Sequence, residues 1–341
     1  MARTWPLHNR LFTAPFQQSF NKAGLTQSIL EVDLLAFEHG TKHQQAAVVD
    51  GLIRSLGTGF VVTTSDLPSD LLDEAYGLLE RFFALEPACK QQFHRPEAHG
   101  QTGYTGRLVE TAAGESLADW KEMLNWAEPL PEAHPLRLRF PLQYPNQLLP
   151  EIVVPGITTV LETFHRAIAD LQRRVLRVIA TGLGAHADFF DDVVKDAPTL
   201  TRAIHYPPMS QAPAGGHVWA AAHGDINLIT ALPRATAPGL QVAIEGQWVD
   251  AIAPEGQVLL NSGLMLERIS NGRIPTGWHR VVAADSWSDA RLSVVQFCHP
   301  KPSTILTPLA SCMDAQHPQR FAGVMAADAL EEVLYQINLM A

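Results

Sequence analysis

His223 and Asp225 stand two residues apart at the head of an apolar run, in Trp219-Ala220-Ala221-Ala222-His223-Gly224-Asp225-Ile226-Asn227-Leu228-Ile229-Thr230. In an extended strand, residues i and i+2 point to one face, so an imidazole and a carboxylate at this spacing reach one cation together. Neutral imidazole with carboxylate suits a divalent ion of intermediate hardness. Two histidines and one carboxylate on a single face form the facial triad of non-haem iron(II) centres. The third ligand is read as His279, in Gly277-Trp278-His279-Arg280-Val281-Val282, again at the start of an apolar segment. A second H-x-D pair, His186-Ala187-Asp188, follows a long helical pattern and a glycine-rich break, and nothing around it reads as a strand facing a cavity.

Beyond His279, the alternation of Arg291-Leu292-Ser293-Val294-Val295 puts Arg291 and Ser293 on one strand face. A guanidinium is a planar, permanently charged fork that grips both oxygens of a carboxylate, and a neighbouring hydroxyl adds a third donor. A surface ion pair is the ordinary reading of an arbitrary strand arginine. The position of this one behind the third ligand favours a carboxylate clamp.

These residues need strands to aim them. From Arg202 to Pro300 the chain breaks into short apolar runs separated by Pro, Gly and Asn, at 202–206, 226–232, 240–244, 247–252, 257–261, 280–284 and 291–297. Many short strands with turn signals make a sandwich or barrel, and a double-sheet jelly roll holds a metal between its sheets. Upstream, 29–34 and 60–62 read as strands and 45–56 as a helix. Leu71, Leu72, Ala75, Leu78, Leu79, Phe82 and Phe83 predict a helix capped by Ser69 or Asp70 and stopped by Pro87. Residues 94–118, with Gly100, Gly103, Gly106 and Gly114, read as an exposed loop of the long kind that often carries function. Order resumes over 119–126, and 129–155 is a proline-rich connection. A long amphipathic helix runs near 157–182 and another closes the chain over 326–339. Gly182-Leu183-Gly184-Ala185-His186-Ala187 has the letters of a dinucleotide fingerprint but closes a helix where that motif must follow a strand.

The chain has 341 residues, 46% of them hydrophobic, enough for a sizeable core in a soluble globular protein. Twenty-five basic against thirty-five acidic residues give a formal charge of −10, which argues against a nucleic-acid partner. Cys89, Cys298 and Cys312 are too few and too scattered for a disulfide framework or a zinc cluster. Residues 1–18 lack the continuous apolar core of a secretory signal, and no stretch approaches the about eighteen apolar residues of a membrane helix. The expectation is a cytoplasmic protein with no membrane association and no protein partner implied.

His223-x-Asp225, His279 and Arg291-x-Ser293 in this order resemble the isopenicillin N synthase-like iron(II)- and 2-oxoglutarate-dependent oxygenases. The resemblance extends to Tyr206-Pro207-Pro208, Gly239-Leu240-Gln241-Val242, Trp248-Val249, Asn261-x-Gly263, Ser270-Asn271-Gly272 and His279-Arg280-Val281. In the N-terminal half it takes in Thr58-Gly59-Phe60, Gly103-Tyr104 and Asp119-x-Lys121-Glu122. It therefore spans nearly the whole chain. It implies a mixed α/β fold dominated by β, with a double-stranded β-helix (jelly roll) core and flanking helices. The organisation expected is a single oxygenase domain over 1–341, with an N-terminal region at 1–155, the jelly-roll core at 200–300 and a C-terminal segment and helix at 301–341.

The resemblance also implies Fe(II) on His223, Asp225 and His279, and 2-oxoglutarate on Arg291 and Ser293 with help from Tyr206. O2 is the oxidant, a small molecule the substrate, and succinate and carbon dioxide the coproducts. Two departures stand out: Ile204 replaces a common asparagine and Leu264 a common aspartate. The first bears on the cosubstrate pocket, the second on local packing. Halogenases of similar fold leave the carboxylate position open for halide, so Asp225 argues for hydroxylation or another oxidation. The alternatives are an oxidase that uses oxygen without 2-oxoglutarate, a catalytically silent metal-binding jelly roll, and a zinc hydrolase for which no catalytic base is evident.

Overall fold

The computed structural model describes residues 27–112 and 115–337, so the N-terminal stretch 1–18 lies outside the described residues. Strand β1 (Glu31–Val32) is shorter than the expected 29–34 because the Asp33 carboxylate accepts from Leu35 N and Ala36 N and starts helix α1 (Leu34–His39). Helix α2 (Lys42–Leu56) begins ahead of residue 45, where Thr41 and Gln44 form a capping box. After β2 (Phe60–Thr64) comes α3 (Ser69–Phe83). Its N-cap is Pro68, with no side-chain bond, so neither Ser69 nor Asp70 caps it. Pro87 does not stop α3, which has already ended; it opens α4 (Pro87–Gln91) at the first turn, where a missing N–H costs nothing.

The stretch 94–118 is not the uniformly exposed loop its composition suggests. Strand β3 (Gly103–Thr105) lies within it and residues 100–105 are buried, while 107–109 stay exposed. Gly103 has φ +75° and presses against Phe93 O, a space that a Cβ would fill. Then come β4 (Glu122–Ala127), α5 (Pro135–Arg139), the long α6 (Ile157–Gly182), α7 (Phe189–Val194) and β5 (Leu200–Tyr206). The glycine-rich segment 182–187 terminates α6, as its place in the pattern requires.

The following strands are β6 (Ala220–His223), β7 (Ile229–Ala235), β8 (Leu240–Ile244), β9 (Gln247–Asp250) and β10 (Gln257–Ser262). After α8 (Leu264–Ile269) come β11 (His279–Val281), β12 (Arg291–Cys298), β13 (Ile305–Leu306), β14 (Val324–Met325) and α9 (Ala326–Gln336). The last residues of the helix expected over 326–339 lie outside the described ones.

Eight strands form one sheet in the order β1-β2-β10-β7-β12-β5-β4-β3, and four form a second, β6-β11-β8-β9. Apart from β1 and β2, the pairs within both are antiparallel. This is the sheet-rich, jelly-roll architecture that the sequence leads one to expect. Side-chain alternation divides the large sheet into two faces. Leu124, Trp126, Ala203, Leu292 and Val294 face outward and pack with the stripe of α6 that includes Phe164, Ile168, Leu171 and Val175. Each such buried apolar side chain contributes roughly 1.5–3 kcal/mol. Met123, Ile204 and Tyr206 face inward and meet Trp219, Leu240, Val242 and Val281 of the smaller sheet. A rigid helix behind one sheet and a second sheet in front leave the inner face of β5 and β12 as the floor of a cavity.

Candidate metal centre and its pocket

His223 ends β6 and His279 begins β11, and the two are direct cross-strand partners with ring centroids 4.4 Å apart. Asp225 is not on the strand. It lies past the end of β6, so alternation does not aim it. Gly224 makes that turn, pressed so close that a Cβ there would sit 2.6 Å from Thr276 Cγ2. The Asp225 carboxylate is aimed by bonds: Oδ2 accepts from Thr230 Oγ1 at 2.6 Å and from Asn261 Nδ2 at 2.8 Å. Oδ1 is left on the histidine side, 3.9 Å from His223 Nε2.

Both imidazoles are oriented from behind. His223 Nδ1 donates to Ala221 O at 2.7 Å and His279 Nδ1 to Gly277 O at 3.0 Å. Since a carbonyl only accepts, Nδ1 carries a proton in each ring and Nε2 is the nitrogen turned toward the other ligands. One donor atom from each of the three side chains lies within 4.8 Å of the others. Burial, helped by the neighbouring His223, pushes the His279 pKa down to about 4, so this ring is neutral at physiological pH. Burial works the other way on Asp225, but the two histidines and the bonds from Thr230 and Asn261 outweigh it and hold the carboxyl below its usual range. Two imidazoles and an ionised carboxylate, all held from outside, fit a divalent iron ion.

Along β12, Arg291 and Ser293 share the inward face with Val295 and Phe297; along β5, Arg202, Ile204 and Tyr206 do the same. Arg291 is 1% exposed, and no carboxylate among the described residues lies within ion-pair distance of it. The surface ion pair is therefore excluded. Its Nε donates to Ala237 O at 3.1 Å, its Nη1 to Ser293 Oγ at 2.9 Å, and its guanidinium lies 5.0 Å from the Tyr206 ring centre. A buried, fixed cation needs a counter-ion. The cavity it lines also contains His223, Asp225 and His279. Ile204, the register partner of Ser293, contributes an apolar wall where an amide would have offered polar atoms. Leu264 meets Asp225 through its backbone, N to O at 2.8 Å, so its side chain leaves that contact alone.

The sequence reading did not foresee a second charged group in the same cavity. Lys121 Nζ bonds Glu110 Oε1 and Asp119 Oδ2, both at 2.7 Å. Arg202 donates from Nη1 to Glu110 Oε2 at 3.2 Å and from Nε to Asn125 Oδ1 at 2.7 Å. Burial opposes ionisation of Glu110, but Lys121 and Arg202 prevail and hold its pKa at about 2. Asp119 Oδ1 accepts from Ala221 N at 3.0 Å, which ties this cluster to the strand carrying His223. A signal existed for part of it: Arg202 stands four residues before Tyr206 in a strand and so shares its face. Glu110, in the stretch read as a loop, gave none. His186 and Asp188 pair with each other on the surface, their side chains 83% and 62% exposed, and are not part of the His223, Asp225 and His279 cluster.

Residues 30–151 match the family described as non-haem dioxygenase in morphine synthesis N-terminal, and residues 198–300 match the 2OG-Fe(II) oxygenase superfamily. A protein from Caulobacter crescentus assigned to the 2OG-Fe(II) oxygenase family is 30% identical, with a TM-score of 0.79 over 92% of this chain and 100% of that one. A full-length Neurospora crassa protein, solved in complex with α-ketoglutarate (2-oxoglutarate), is 25% identical, with a TM-score of 0.78 over 93% of this chain and 98% of its own. Leucoanthocyanidin dioxygenase 2 of rice is 27% identical over 81% of this chain and 72% of its own length.

Proposed function

Because the chain belongs to the 2OG-Fe(II) oxygenase superfamily, we propose that His223, Asp225 and His279 hold its iron, that Arg291, Ser293 and Tyr206 hold its 2-oxoglutarate, and that it hydroxylates a small organic molecule. The chain is an iron(II)- and 2-oxoglutarate-dependent dioxygenase, an oxidoreductase using O2. The observation that carries the site assignment is the pairing, in one cavity, of three pre-oriented donors with a buried arginine that has no carboxylate partner among the described residues. When bound, iron and the 2-oxo acid supply the activation of O2, with succinate and carbon dioxide as coproducts.

The protein's own residues do the positioning. Ala221 O and Gly277 O fix the histidine tautomers, and Thr230 and Asn261 turn one carboxylate oxygen away from the metal. Arg291 and Ser293 take the distal carboxylate of the cosubstrate, while the apolar walls between them and the triad keep bulk water off the reacting atoms. We read the chain as one oxygenase domain, with 200–300 as the core bearing both sites, 1–155 as the N-terminal region and 301–341 as the C-terminal segment. The unbonded Cys89, Cys298 and Cys312 support a cytoplasmic location. No described helix is long and apolar enough to cross a membrane.

His223→Ala, Asp225→Ala and His279→Ala test the assignment, with His186→Ala as control. Each of the three is expected to lose its iron and its 2-oxoglutarate-dependent oxygen uptake while keeping the wild-type circular dichroism, and the control to keep all three properties. Full iron content and turnover in all three variants would sink the proposal.

A further inference from the structure

The inward face of β5 and β12 carries a cation toward each end. Arg291 is paired with Tyr206, Ser293 with Ile204 in the next row, and Val295 with Arg202 in the row beyond, where the Arg202 guanidinium lies 5.3 Å from the Phe297 ring centre. Arg202 stands four strand positions from Tyr206, roughly 13 Å at the usual rise per residue. Thr230, which holds Asp225, is the register partner of Phe297, so the triad sits toward the Arg202 end. A dicarboxylate reaching from the triad to Arg291 uses the first end and the middle. The second end, with Glu110, Lys121 and Asn125 gathered around Arg202, has no part in holding either iron or cosubstrate.

That second end has a particular chemistry. Two cations, Lys121 and Arg202, are matched by two anions, the buried Asp119 and the largely covered Glu110, so it carries no net charge. It still has hydrogen to donate. Nε and Nη1 of Arg202 are engaged, whereas Nη2 has no partner among the described residues, and Lys121 has a third N–H beyond its two carboxylates. A carboxylate or phosphate placed here would add an uncompensated charge to a cluster whose charges already balance, and an ammonium would meet a surplus of donors. An uncharged oxygen acceptor meets the donors and leaves the balance intact.

We propose that Glu110, Lys121 and Arg202, with Asn125 holding Arg202 from behind, form the substrate subsite beside the metal, and that it selects molecules presenting an uncharged carbonyl-type oxygen, such as an amide, lactam or ketone, over their anionic counterparts. Glu110 is the residue that sets this preference: its carboxylate occupies the position on Lys121 and Arg202 that an anionic substrate would take. The inference rests on the oxygenase reading and names the substrate class for the same cavity.

The test compares benzamide with benzoate, which share a shape and differ in charge, by calorimetry on the iron(II) and 2-oxoglutarate complex without oxygen. Wild type is expected to bind benzamide at least about tenfold more tightly than benzoate, and Glu110→Gln, which removes one negative charge with little change of shape, to close or reverse that ratio. Binding of 2-oxoglutarate, titrated in the same samples, is expected to be unchanged in the variant. No benzamide binding up to its solubility limit, or a wild-type affinity for benzoate equal to that for benzamide, overturns the proposal. So does an unchanged ratio in a Glu110→Gln protein with wild-type circular dichroism; if that variant does not fold, the wild-type ratio decides alone. Failure of wild type to bind 2-oxoglutarate counts against the oxygenase reading instead, and the benzamide-to-benzoate ratio is then read on the iron(II) protein.

Discussion

Arg291 is almost wholly buried, bonded only to a carbonyl and a hydroxyl, and faces a cavity. Taking such a charge out of water is costly unless an anion meets it, so the folded state without ligand carries a penalty that a bound carboxylate relieves. Charge-assisted hydrogen bonds contribute roughly 1.5–3 kcal/mol each. Losing even one of them weakens binding by about a decade. Arg291→Leu is therefore expected to weaken 2-oxoglutarate binding at least about tenfold, with iron content preserved because the guanidinium bonds none of the three side chains proposed to hold iron. Arg291→Lys keeps the charge but not the planar fork and should fall between the two. Anaerobic titration of the iron(II) protein, following the absorption band of the chelated 2-oxo acid, gives both affinities; an unchanged midpoint in Arg291→Leu would place the carboxylate elsewhere. Arg291 and Ser293 were legible in the sequence because their spacing is local, i and i+2 within one strand; the strand geometry assumed for His223 and Asp225 does not hold, since β6 ends at His223. The roles of Asn261 and Glu110 were not, since each matters through a partner that only the fold brings near, as Glu110 and Arg202 do across 92 positions.

At the scale of elements, the long helix over 157–182 was read to the residue because its apolar period is unbroken. Strand β6, which carries His223, was not resolved as a strand. Ala-Ala-Ala-His has no β-forming signal, and the segment is extended because β11 pairs with it. The aim of His279 depends in turn on a contact between distant segments. Gly59, with φ +86°, lies so close to Gly277 that a Cβ would sit 2.5 Å from its Cα, and Gly277 O is the acceptor for His279 Nδ1. The same turn is bonded twice to the neighbouring strand, through Ser262 N to Gly59 O and Gly277 N to Ser262 O. Gly59→Ala forces a side chain into the left-handed region at about 1–2 kcal/mol and into the Gly277 backbone as well. The expected result is a lower melting temperature together with iron affinity reduced about tenfold or more, because the turn supporting His279 is displaced. Wild-type iron affinity in a folded Gly59→Ala protein would show that the turn does not aim the ligand.

Across the whole molecule, three buried histidines make the fold sensitive to acid. Burial pushes His165, His279 and His299 down to about 4 from an ordinary 6.5. The charge of Arg166 adds to the effect at His165, that of His223 at His279, and at His299 Arg202 adds while Asp225 partly opposes it. The unfolded chain takes up protons first, so the stability these groups contribute is fully present above pH 6.5 and is lost as pH falls toward 4. Between about pH 7 and pH 5 the loss is about 2 kcal/mol for each histidine. Below that, Glu110 and Glu122, held near 2 against an ordinary 4.5, continue the decline. Net charge cannot be the cause in the upper window. The sequence isoelectric point is about 5.7, so acidification from neutrality first reduces self-repulsion, which by itself would stabilise the compact state. Metal-free protein separates this effect from loss of iron. Its melting temperature is expected to fall steadily from about pH 7 to pH 5, and His165→Leu to lose less over that range than wild type by about 2 kcal/mol. Thr201 keeps the Gln296 amide as a partner in that variant, so the substitution does not leave its hydroxyl stranded. Equal pH slopes in wild type and His165→Leu would place the acid sensitivity in other groups.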